Sequence, residues 1–134
     1  MRGLAILIAV FVLSSCDETA RSHYATMEEA RAQGAVDHGW IPSNLPSSAR
    51  EIQEAHDLDT NVLWGAFCFD PSEANLFLSG LTPIERNAIS YMRILDHSCE
   101  NITAQNGFQF FASNKVVFAI NGREGRGYFW NFWK

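Results

Sequence analysis

Three short apolar runs near the C-terminal end limit this chain's fold most tightly. Phe108–Phe111, Lys115–Ile120 and Gly127–Trp133 are rich in β-branched and aromatic residues, with Ser113-Asn114 and Asn121-Gly122 between them. Strand-forming runs joined by turn residues predict an antiparallel meander. Val62–Phe69 reads as a further strand that joins it. Ahead of these runs the chain carries helix signals. Thr26-Met-Glu-Glu29 is a capping box that opens a short helix, closed by Gly34. Ser47 or Ser48 starts a second helix to about Ala55, with Ala49, Ile52 and Ala55 on one face. A short helix follows Asp70-Pro71, and Thr82-Pro-Ile-Glu85 opens one that runs to Leu95. Helices first and paired strands last predict an α+β fold. Its N-terminal helices pack on an antiparallel sheet of about four strands, which ends in a three-stranded meander.

The first residues give an address. Arg2 precedes an apolar run from Leu4 to Leu13, only about half of the ~20 residues a membrane span needs. Leu13-Ser14-Ser15-Cys16 then supplies small residues before a cysteine, the layout of a cleaved signal. The stretch resembles the lipobox of bacterial lipoproteins. That resemblance implies removal of residues 1–15, diacylation of Cys16 and a lipid-anchored protein facing the periplasm or the cell exterior. Asp17 after the cysteine resembles a signal for retention in the inner membrane. Cleavage leaves about 119 residues, one domain able to bury a core. Residues 16–23 are polar and unpatterned and read as a tether, with the domain spanning 24–134. In an oxidising envelope the remaining cysteines, Cys68 and Cys99, are expected to pair.

Composition narrows the partners. The mature net charge is about −6, and residues 17–100 hold fourteen acids against five arginines. Nucleic acid calls for a basic surface and is excluded as a partner. The expected partners are the membrane, through the anchor, and an envelope protein. Tyr128-Phe-Trp-Asn-Phe-Trp133 suggests the contact surface, with Phe129, Trp130, Phe132 and Trp133 as its residues. Alternation places Tyr128, Trp130 and Phe132 on one face, Phe129 and Trp133 on the other.

No catalytic set is recognisable, and no cofactor is expected. The four histidines lack metal-ligand spacing and no serine occupies a nucleophile elbow. His56-Asp57-Leu-Asp59-Thr-Asn61 is the densest polar cluster. It opens like a calcium loop, but Val62 stands where that loop needs Gly and Cys68 where it needs Glu. Two readings stay open: a turn whose side chains bond local amides, or a metal-binding or enzymatic site using His56, Asp57 and Asp59.

Gly39-Trp-Ile-Pro42, Leu45-Pro46, Ser48-Ala49, Ile52, His56-Asp-Leu-Asp-Thr-Asn61 and Trp64-Gly-x-Phe67 together form a longer pattern. Over roughly residues 39–69 it resembles the YbbD-head-like small bacterial proteins, which are uncharacterised. The resemblance implies a shared fold signature and supplies no catalytic residues.

Overall fold

The computed structural model describes residues 18–85 and 106–131. They form one antiparallel sheet of seven strands in the order β1-β2-β3-β7-β6-β5-β4. The strands are β1 (Thr19–Thr26), β2 (Arg50–Asp57), β3 (Leu63–Cys68), β4 (Thr82–Pro83), β5 (Gln109–Ser113), β6 (Val116–Asn121) and β7 (Arg126–Asn131). Two short helices, α1 (Met27–Ala32) and α2 (Ala74–Ser79), interrupt the order. β3 and β7 pair at the centre and join the N-terminal strands to the C-terminal ones.

The expected α+β arrangement is therefore corrected to a mostly-β one. Its second helix is the strand β2. Ala49, Ile52 and Ala55 suit a helical stripe, but Ile52 and Ala55 belong to different core clusters on the sheet. The inner face of β2 runs Ile52, Glu54, His56. Two of its three members are polar, so the period of two is hidden in the sequence. Glu51, at φ 49°, sits in a register shift between Arg50 and Gln53. Thr82-Pro83 is likewise not a helix start. It pairs with Ala112 and Phe111 at the sheet edge, where proline lacks no needed donor. The rest of the helix expected to Leu95 lies outside the described residues, apart from Ile84 and Glu85. Thr19–His23, expected within a tether, pairs with Gln53–Asp57.

Other local signals match the fold. Thr26 Oγ1 accepts the Glu29 amide at 3.2 Å, and the Glu29 carboxylate accepts the Ala25 amide at 2.7 Å. Gly34, at φ 77°, ends α1, with Ala35 N–H donating to Ala30 O at 2.9 Å. β5, β6 and β7 form the meander, with Asn114 and Lys115 at φ 47° and 68° in its first turn.

Both faces of the sheet carry buried apolar side chains. On one, Tyr24, Ile52, Phe67, Phe118 and Phe129 pack with Met27 and Ala30 of α1, Ile41 and Leu45 of the loop after it, and Phe77 of α2. On the other, Ala55, Trp64, Phe110, Val117, Tyr128 and Trp130 form a second cluster. The aromatic alternation is as expected, but Phe129 and Trp130 are 0% and 6% exposed, so neither is a contact surface. Phe132 and Trp133 lie outside the described residues. No helix among the described residues is long and apolar enough to cross a membrane.

Candidate functional site

The most unusual group of side chains lies on the inner face of β2. Glu54 is 1% exposed and sits opposite Ser22 of β1 and Gly65 of β3. Two residues on, His56 shares that face, with Nδ1 3.0 Å from Glu54 Oε2. A carboxylate accepting there orients the imidazole through Nδ1. Glu54 Oε1 is buried and has no hydrogen-bond partner among the described residues. Such an orphan costs ~1–3 kcal/mol, so the fold sustains this pair against its own stability.

The loop after α1 builds a lid on the pair. Trp40 N–H donates to Ala35 O at 2.9 Å, and Ile41 and Leu45 anchor the following segment in the core. The Trp40 ring stacks on His56 at 4.6 Å and 15°. His38 also stacks on Trp40, at 4.6 Å and 16°. His38 Nδ1–H donates to Gly34 O at 2.6 Å, which holds that ring in turn. His38, Trp40, His56 and Glu54 thus form a column from exposed surface to interior.

The expected cluster His56–Asn61 does not converge. Asp57 is the next residue along β2 and faces away from the His56 side. Its Oδ1 accepts the amides of Asp59 and Thr60 at 3.0 and 2.8 Å. Asn61 adopts φ 55° and donates its amide to Asp57 O at 2.9 Å. Asn131 Nδ2 donates to Asn61 O at 2.8 Å, and Asn131 Oδ1 accepts the Leu63 amide at 2.9 Å. These bonds build a hairpin turn pinned to β7. At that turn the Glu18 carboxyl is held above the usual carboxylate range, first by its hydrogen bond with Asp59 and the Asp59 charge, and lastly by Asp57. Among the described residues no three His, Cys, Asp or Glu side chains group to hold a metal ion. Cys68 is half-buried on β3. Cys99 and Cys16 lie outside the described residues.

A clamp that the sequence reading missed holds the loop bearing Trp40. Ser47 and Ser48 hydroxyls each donate to the Glu73 carboxylate at 2.8 Å. Ser48 Oγ also accepts the Asp70 amide at 2.9 Å. The hydrogen bonds from Ser48, then Ser47, hold Glu73 below the usual carboxylate range. A lowered folded-state value stabilises at higher pH, and that contribution is lost as pH falls through it. We expect the melting temperature to drop as pH falls below about 4, and Glu73→Gln to flatten that slope in melts across the acid range. A separate cleft of about 910 Å³ lies beside α2 and is lined by Asn75, Leu78, Gln109 and Arg123 among others. Asn121, buried at its edge, spends its amide on Asn106 O and on the Glu124 N–H.

Residues 18–68 match the family model of the YbbD head domain. That span runs from the start of β1 to the end of β3 and contains the whole column from His38 to His56. No curated protein and no solved structure matches the chain.

Proposed function

We propose that this chain is a membrane-anchored envelope lipoprotein whose YbbD-head-like domain is a contact module for another envelope protein. The observation that carries this reading is how near the sheet comes to Cys16. Glu18 O already accepts the Leu58 amide at 3.2 Å, two residues after the lipobox cysteine. A sheet bonded to within two residues of Cys16 suits a module held close to its membrane. The surface it offers is the exposed His38 ring on half-buried Trp40. Stacking on His56 makes that ridge rigid, and a tryptophan held in place is the residue type that dominates interface energies. Cys16→Ala is expected to abolish palmitate labelling and leave an unprocessed or released chain. A processed species that still fractionates with membranes overturns the anchor. In intact cells, a photo-crosslinker replacing His38 is expected to trap one discrete partner, lost with Trp40→Ala. An unchanged adduct pattern overturns the contact ridge.

A second reading, a metal-binding protein or enzyme centred on His56, is favoured by the Glu54 pairing alone. A carboxylate on Nδ1 is how general bases and metal ligands are oriented. Asp57, expected as its helper, is spent on the turn. Stoichiometric metal surviving dialysis of the soluble domain would favour this reading.

A further inference from the structure

We propose that the β2–β3 hairpin tip, with Leu58 at its apex, is the surface by which the domain rests on the lipid bilayer. This rests on the lipid-anchor reading of Cys16. A lone exposed leucine means little by itself. The position of Leu58 is what matters. Leu58 is 60% exposed, and its amide is bonded to Glu18 O.

Two residue steps separate Glu18 from Cys16, and a fully extended chain spans at most about 7 Å over that distance. The headgroup layer on each side of a bilayer is of similar thickness, about 5–8 Å. A diacylated Cys16 is tied to glycerol at the base of that layer. Even with the Cys16 side chain added, this tether outreaches the headgroups by only a few ångströms, so the hairpin tip is held at the membrane surface. Leu58 is the exposed large apolar side chain at that end among the described residues. The nearby charges fit one lipid chemistry. Glu18, Asp57 and Asp59 surround the tip, so ammonium-bearing zwitterionic headgroups complement it and anionic ones repel it.

The other exposed leucine supplies the control. Leu76, 79% exposed on α2, lies beyond the far end of β3. Six residues of strand place it about 20 Å from the tip.

The full chain, processed in cells, would be reconstituted into phosphatidylethanolamine–phosphatidylcholine vesicles. It would carry p-benzoyl-phenylalanine at one of two positions, Leu58→p-benzoyl-phenylalanine or Leu76→p-benzoyl-phenylalanine. Intact mass reports acylation, and irradiation reports lipid adducts. The expected result is an acylated chain whose position 58 gives several-fold more lipid adduct than position 76. An acylated chain with equal yields at the two positions overturns the tip contact and leaves the anchor standing. A chain without acyl groups overturns the anchor and the tip contact together.

Discussion

His56→Ala is expected to destabilise the domain by about 1–3 kcal/mol, the cost of leaving a buried hydrogen-bonding group without its partner. Glu54 is already short of one bond, since Oε1 has no partner among the described residues. Removing His56 leaves both carboxyl oxygens without a side-chain partner among the described residues, at a position that is 1% exposed. It also takes away the ring on which Trp40 stacks, and with it the support for His38. The sign of the second substitution separates this account from simple loss of volume. Glu54→Leu added to His56→Ala removes the stranded carboxyl, and should recover at least about 1 kcal/mol of the loss. Urea unfolding of wild type, both single variants and the double variant measures the coupling. If His56→Ala stays within about 1 kcal/mol of wild type, or the double variant is less stable than His56→Ala, the pair is not what holds this column.

The same pair explains why half of the fold was hard to read. Where an inner face is apolar, its period shows. Val117, Ala119 and the alternating Tyr128, Phe129 and Trp130 mark β6 and β7, and Asn114 marks the turn beside them. Where function or history has placed Glu54 and His56 on that face, the period-two signal vanishes and a helix face of Ala49, Ile52 and Ala55 takes its place. β1 fails for another reason. Thr19, Arg21, Ser22 and His23 have no pattern of their own, and only the ladder to β2 makes them a strand. Thr82-Pro83 carries sound helix-start chemistry, yet the same fixed proline φ also suits a sheet edge. The column was legible only in fragments. His56 stood out as polar, but its partners are Glu54 two residues back on its own strand and Trp40 from a loop across the sheet face. No spacing rule links Trp40 to His56. Of the four aromatics expected to supply an exposed face, Phe129 and Trp130 are buried because both sheet faces carry a buried cluster, and Phe132 and Trp133 lie outside the described residues.

Phe129→Ala is expected to cost about 3–5 kcal/mol, the range for emptying a buried phenylalanine site. The side chain is fully buried and packs against Phe67 at 6.2 Å between ring centroids. Its site is built around a missing side chain. Phe129 lies opposite Gly65 in the β3–β7 ladder, and its ring occupies the space where a side chain on Gly65 would stand. A Cβ added there would fall 2.2 Å from Phe129 Cζ and 2.4 Å from Gln53 O. Gly65→Ala alone is therefore expected to cost about 1–3 kcal/mol, toward the upper end because Gln53 O belongs to the backbone and cannot rotate away. Combining the two relieves the clash with the ring and puts a methyl group into the cavity, while the Gln53 clash remains. The double variant should thus lose less than the two single losses together, yet stay below Phe129→Ala with Gly65 intact. Additive losses in the same unfolding assay would mean that Gly65 and Phe129 do not share this space. A Phe129→Ala loss under about 1 kcal/mol would mean that β3 and β7 do not meet through this ring, and the central joint of the sheet would have to be redrawn.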